Sequence, residues 1–424
     1  MASQRVSVIP LVPGVQSYEW GVPGRRSDCL VAHYASATKE LHFDRKDDQP
    51  YAELWMGTHP TLPSYALLPD GSKVLLHDYL CEHKALVGDE VVARFGLDEG
   101  RGALPFLFKV LSINKALSIQ AHPDKALAEK LHKEKPAMYK DDNHKPEMAL
   151  ALSDFEGFCG FRPWAEMAHF VATVPELRSV LEADAAWDAV QATSSSALHD
   201  VFGILMRASP TVYEPAVDAI ATRYRQRTGP VEVTDEVADL VVRLHEQYPR
   251  DIGVFCTFFL NIVHLERGQA MFLGANEPHA YLAGHILECM AASDNVVRAG
   301  LTPKARDVDV LLSMLTYKSA SADEQRLRSP VWDGDAQGHT LLYDPPIPEF
   351  TLLFTALRDS QRSEHRAVHG PSIVLVTKGQ GELLVGETSI PLDEGRVYFI
   401  GAHTPVTWTT QGTLDVARAF VEVA

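Results

Sequence analysis

The chain has 424 residues, 46% of them hydrophobic and 22% charged, an average globular balance that excludes global disorder and fibrous repeats. Its formal net charge of −17 repels phosphodiester backbones and anionic lipid at long range, so neither nucleic acid nor a membrane is expected as a partner. A small anionic substrate stays compatible, because a few Lys and Arg side chains converging in a cleft can hold one phosphate whatever the sign of the whole surface.

At about 150 residues per unit, the length suggests roughly three folding units. Cys29, Cys81, Cys159, Cys256 and Cys289 are scattered and never form C-x-x-C, which argues against a disulfide framework and a thiolate zinc site and fits a reducing cytoplasm. Pro10 and Pro13 interrupt the N-terminal apolar stretch, so no secretory signal is expected. The most apolar internal run, Gly253 to Val263, is far short of the roughly 20 residues a membrane helix needs and reads as core.

In chain order, residues 1–161 alternate short apolar runs with Pro, Gly and Asp, as in Leu104 to Ile113 and Leu117 to Pro123, and read as mostly β. After Phe161 the pattern changes. Pro163 suits a first helical turn, and Met167, Phe170, Val171 and Val174 recur at helical spacing. Val201 and Leu205, then Val217, Ile220 and Tyr224, continue that style. Thr234 before Asp235 and Glu236 offers a helix start ahead of Val237, Leu240, Val241 and Leu244. A helical insert over 162–249 is therefore expected. Beyond Asp251 the β character returns, and Ser372 to Thr377, Gly381 to Val385 and Arg396 to Ile400 read as strands separated by glycine-bearing turns.

An internal repeat supports this division. Gly268-Gln-Ala-Met-Phe-Leu-Gly-Ala-Asn-Glu-Pro-His279 aligns without a gap with Gly395-Arg-Val-Tyr-Phe-Ile-Gly-Ala-His-Thr-Pro-Val406. The second copy carries Val406 where the first carries His279. The expected architecture is mainly β: a metal-binding barrel from 1–161 and 250–325, the helical insert, and a second barrel without metal ligands over 326–424.

Alternation places Ser118, Gln120 and His122 on one strand face and Leu117, Ile119 and Ala121 on the other. Two candidate ligands then point one way, unless that face is simply solvated. In His144-Lys-Pro-Glu-Met148, Pro146 fixes an extended turn that can present a carboxylate, and either His144 or Glu147 is a candidate. His279 ends the repeated turn. Imidazoles with a carboxylate and room for another ligand suit a catalytic zinc better than a structural one.

Longer motifs carry a resemblance. Tyr18-Glu-Trp-Gly21, Tyr51 to Pro60, Leu104 to Leu111, Leu117 to Pro123, Asn143 to Ala149, Pro278-His-Ala-Tyr281 and Glu288 to Lys304 resemble the type I mannose-6-phosphate isomerases, and the likeness extends to Tyr343-Asp-Pro-Pro346. The resemblance implies two cupin-like jelly-roll barrels with a helical domain and one zinc ion on Gln120, His122, Glu147 and His279. It implies interconversion of mannose 6-phosphate and fructose 6-phosphate, which supplies GDP-mannose and glycan synthesis. Arg298 falls on the family's essential arginine.

Lys109 interrupts an apolar run, so burial predicts a depressed pKa and a role in proton transfer or phosphate contact, with snorkelling from a barrel edge as the alternative. Lys145 and Glu288 are further catalytic candidates, Glu288 either as base or as a structural partner of nearby cations. Ser118, Tyr281 and Lys304 are candidates for substrate binding. A monomer acting on a small sugar phosphate is expected.

Overall fold

The computed structural model describes residues 7–97, 103–191, 197–228 and 232–423; the outer domain limits expected at residues 1 and 424 lie outside them. The chain is mostly β-sheet with a helical region between two β units. Each β unit is a large open sheet of 11 strands rather than a ring closed by hydrogen bonds.

The strand Phe106–Ile113 is buried along its whole length, and its two faces go to different places. Phe106, Phe108 and Val110 enter a cluster with Met148, Leu150, Leu287 and Cys289 from the first sheet and Ile373, Leu375, Phe399, Ala417 and Ala419 from the second. That apolar seam joins the two sheets. At roughly 25 cal/mol per Å² of apolar surface removed from water, such a shared layer is the main force holding them together. The alternate residues of Phe106–Ile113, including Lys109, face the interior of the first unit with the alternate residues of Glu147–Ala151 and His279–Ala291.

The helical region spans six helices from Trp164–Thr173 to Asp235–Gln247 among the described residues. Met167, Phe170 and Val171 on the first and Val237, Leu240, Val241 and Leu244 on the last are buried together, as the 3.6-residue spacing predicts. The Thr234 hydroxyl accepts from the backbone N–H of Val237 and starts the last helix. This core continues into Ile119, Ala121, Val297 and Ala299 of the first β unit.

The repeat read from the sequence is a repeat in space. Strands Ala270–Leu273 and Val397–Ile400 occupy matching places in the two copies. Each copy has a left-handed glycine before its strand, Gly268 at φ +87° and Gly395 at φ +84°. Each turn also has a left-handed non-glycine residue, Asn276 and His403, and the next strands begin at His279 and Val406.

Two features differ from the sequence reading. Ser372–Val385 is one continuous strand, not two: Gly379, at φ +78°, bends it, and a register shift between Val376 and Lys378 absorbs the bend. The N-terminal strand Val8–Val12 pairs with Val397–Ile400, and the hairpin Tyr65–Leu67 with Lys73–Leu75 extends the same sheet. Residues 8–12 and 65–75 thereby belong to the sheet of the C-terminal unit.

Gly284 lets His279–Ala291 pass from Phe155–Phe161 on one side to Phe106–Ile113 and Glu147–Ala151 on the other. Its φ is +110°, and a Cβ there would lie 2.5 Å from the Asp154 carbonyl oxygen. Gly284→Ala is expected to cost about 1–3 kcal/mol from backbone strain alone, read as a lower denaturant midpoint at unchanged slope. A change below about 0.5 kcal/mol, the ordinary scale of a surface substitution, would contradict this account.

Candidate metal centre

Ile119 and Ala121 anchor the strand Ile119–Ala121 to the helical core, so its alternate face, with Gln120 and then His122, is left for the interior of the β unit. His279 opens its strand directly opposite Gln120. Glu147 opens Glu147–Ala151, after Pro146. His122, Glu147 and His279 are all buried, and their ligand atoms lie within 4.8 Å of one another.

The backbone sets both imidazole tautomers. His122 Nδ1 lies 2.7 Å from the Asn295 carbonyl oxygen, and His279 Nδ1 lies 3.0 Å from that of Glu277. A carbonyl only accepts, so each Nδ1 carries the proton and each Nε2 exposes a lone pair. Those two Nε2 atoms lie 3.3 and 3.4 Å from the Glu147 carboxylate oxygens, yet neither has a hydrogen-bond partner among the described residues. Lone pairs thus face lone pairs among buried side chains. Each unsatisfied buried group costs roughly 1–3 kcal/mol, and a divalent cation taking both nitrogens and the carboxylate removes the conflict. The donor set of neutral imidazoles and carboxylate suits zinc.

Burial pulls His122 down to about 4, with Glu147 opposing the shift. Burial pushes Glu147 up, but the Lys145 ammonium 3.1 Å away and His122 outweigh it and hold the carboxyl well below its usual range. His144, the alternative to Glu147, turns away to pair with Glu349 at 2.6 Å.

Beside this cluster lies a buried ionic network. Lys109 Nζ is 3.0 Å from Glu288 and 3.9 Å from Glu53, and it stands 4.7 Å over the Trp55 ring. The depressed pKa predicted for Lys109 is wrong in direction. Burial does pull the ammonium down, but Glu288, Glu53 and Glu147 together outweigh it and raise the pKa. Snorkelling is also excluded, since the side chain is only 7% exposed. Glu288 is raised by burial and by the Glu147 charge despite Lys109. Tyr281, also buried, donates its hydroxyl to Glu147 at 3.4 Å.

Arg298 sits opposite Gln120 on the neighbouring strand. It is half-buried, burial pulls its guanidinium down, and it makes no ion pair among the described residues. Lys304 is exposed. Ser118 is half-buried, and its hydroxyl makes no hydrogen bond among the described residues.

Glu53 and Trp55, whose side chains are hydrogen-bonded to each other, escaped the sequence reading although their i, i+2 spacing on one strand was visible. His59, 3.7 Å from Asp294, lies in the same segment. The two carbonyls that set the tautomers, from Glu277 and Asn295, leave no trace in side-chain chemistry.

Together these features describe a two-unit β protein with a helical insert and a buried His/Glu metal centre. Residues 8–164 match the family model of the phosphomannose isomerase type I catalytic domain, residues 173–260 its helical insertion domain and residues 340–388 its C-terminal region. The mannose-6-phosphate isomerase of Cryptococcus neoformans is 45% identical, with 98% of this chain and 99% of that protein covered. That of Saccharomyces cerevisiae is 41% identical, with 96% and 97% covered. A solved mutant of phosphomannose isomerase from Salmonella typhimurium superposes with a TM-score of 0.81 at 32% identity, covering 99% of this chain and all of that one. A zinc-bound mannose 6-phosphate isomerase gives 0.80 at 31%, with the same coverage. The chain belongs to the type I phosphomannose isomerase family.

The His122 shift has a definite sign. The unfolded chain takes up a proton near pH 6.5 that the folded chain refuses until about pH 4, so the stability of metal-free protein falls as pH drops through that window. The full loss is roughly 3–3.5 kcal/mol. Urea unfolding of chelator-treated protein across pH 4–7 should show this slope, and His122→Gln should flatten it; parallel profiles for the two proteins would remove His122 as its source.

Proposed function

We propose that this chain binds one zinc ion through Gln120, His122, Glu147 and His279 and interconverts mannose 6-phosphate and fructose 6-phosphate by moving a proton between C1 and C2 through an enediol. The observation that carries the reading is the pair of buried imidazole lone pairs turned on the Glu147 carboxylate with no proton between them. Gln120 enters as a ligand because it is paired in register with His279. Zinc bound there supplies Lewis acidity toward the sugar oxygens.

The protein's own groups divide the remaining work. Glu288 is the carboxylate best suited to take the carbon-bound proton, because its raised pKa and burial bring it toward the range of an effective general base. Lys109 stays protonated beside it, so it acts by charge and hydrogen bonding and not as the base. Tyr281 steadies Glu147 and closes one wall against water. Arg298, a cation without a carboxylate partner among the described residues, is placed to balance negative charge on the substrate oxygens. Lys145 and Ser118 border the same strands, and Lys304 offers an exposed cation for the phosphate.

Three further parts belong to this reading. The chain acts as a cytoplasmic monomer and supplies mannose 6-phosphate toward GDP-mannose. A metal-binding unit comes from 1–161 and 250–325, apart from the strands Val8–Val12, Tyr65–Leu67 and Lys73–Leu75 that join the other sheet. A helical insert at 162–249 separates it in sequence from a C-terminal unit at 326–424.

Chelator-stripped protein verified as metal-free should lose turnover in a coupled isomerase assay and regain it with zinc; full activity without metal would sink the proposal. Arg298→Lys should retain zinc but lose most of kcat, by about tenfold or more, as expected when a planar, two-pronged cation is replaced by a point charge. Near-normal turnover would take Arg298 out of the chemistry. Glu288→Gln should stop solvent deuterium from entering C1 and C2 while the protein still binds substrate. Lys109→Met should weaken folding by about 3–5 kcal/mol through the unpaired carboxylates it leaves. If instead Lys109→Met alone abolished exchange in folded protein, the base assignment would pass from Glu288.

A further inference from the structure

The internal repeat can be followed past its aligned segment by strand register. Glu147 pairs with Leu273, and Ser372 pairs with Ile400, the residue that answers Leu273 in the second copy. Two residues on, Ala149 pairs with Glu288, and Val374 pairs with Arg418. His279 faces Gln120, and Val406 faces His365. The second unit therefore carries Ser372 in the place of the metal carboxylate Glu147, Arg418 in the place of Glu288 and His365 in the place of Gln120.

The net effect is an inversion of charge. Arg418 is buried to 1% exposure. Its Nε donates to Ser372 Oγ at 2.9 Å, while Nη1 and Nη2 have no partner among the described residues. The Ser372 hydroxyl hydrogen has no acceptor among the described residues. Glu422, the carboxylate that acts on Arg418 electrostatically, is held by Arg366 at 3.0 Å through both oxygens. His365 offers no counter-charge: its Nδ1 accepts from Trp408 Nε1, so its Nε2 carries the proton, which is shared between the Thr340 and Thr355 hydroxyls. Asp335 is occupied by the backbone N–H groups of Gln337 and His339. Three donors lie together with no acceptor among the described residues, the reverse of the two imidazole Nε2 acceptors left without a donor in the first unit.

We propose that the interior of the second β unit binds one small monovalent anion of chloride type between Arg418 Nη1, Arg418 Nη2 and the Ser372 hydroxyl. Leu353 and Val374, opposite Arg418 in register, and Phe420, opposite Ser372, are all buried, and such an enclosed interior favours an ion of one or a few atoms. Burial, with Arg366 adding to it, pulls the guanidinium down to about 9, which leaves it charged near neutrality, and an anion at the fork supplies the counter-charge that a buried arginine requires. The site adds no step to the isomerisation and makes chloride a folding ligand.

The test uses the full holoenzyme. Melting temperature should rise with each tenfold increase in chloride at fixed ionic strength, with gluconate, too large for the site, as the replacement anion. Arg418→Met should lose that dependence while keeping zinc content and turnover. Should Arg418→Met fail to fold, crystals of the unaltered protein grown in bromide decide: an anomalous peak in contact with both Nη atoms supports the proposal. Water at that position, or a melting temperature indifferent to chloride, overturns it.

Discussion

The arrangement on which the rest of the molecule depends is the confrontation of His122 and His279 with Glu147. Backbone carbonyls fix the proton of each imidazole on its far side, and burial keeps His122 neutral. Both constraints are set by the fold before any ligand arrives, so the site is preorganised for a cation and poorly suited to remaining without one. The polar conflict is stored in the protein, and metal binding and folding are coupled through it.

A second constraint lies one strand away. Lys109 sits among Glu53, Glu147 and Glu288 in a region with little water. Removing any member leaves a buried charge unmatched, so the network holds the strands Phe106–Ile113 and His279–Ala291 in one register, where Lys109 is opposite Glu288. The same register places Glu288 near the metal cluster. Structure and chemistry therefore use the same residues, and stability must be measured alongside activity when either is altered.

The two β units show how one backbone plan accommodates opposite electrostatics. Turn glycines, a left-handed residue at the same place in the turn and the strand pairing are kept in both copies. The side chains aimed inward are not kept. The first interior holds imidazole and carboxylate acceptors beside Lys109 and Lys145, and an arginine with a serine stands at the matching places of the second. Backbone geometry and the apolar seam are shared requirements of packing, whereas the interior polar residues are free to diverge once they satisfy one another or a ligand.

The sequence by itself determined the elements whose signal is local. Helices beginning at Trp164 and Asp235 follow from a 3.6-residue apolar period and the Thr234 cap, and the repeated turn follows from its glycines. The family motifs located the region of the metal centre, and alternation placed Gln120 with His122. Tertiary structure alone decided what depends on distant partners. Gly379 bends a strand instead of ending it because its close neighbour is Thr413, reached only through pairing with the final strand. Val8–Val12 joins the C-terminal sheet through hydrogen bonds that leave no mark on side-chain pattern. The sign of the Lys109 shift depended on three carboxylates from three separate strands, and burial, the only term a sequence offers, points the other way.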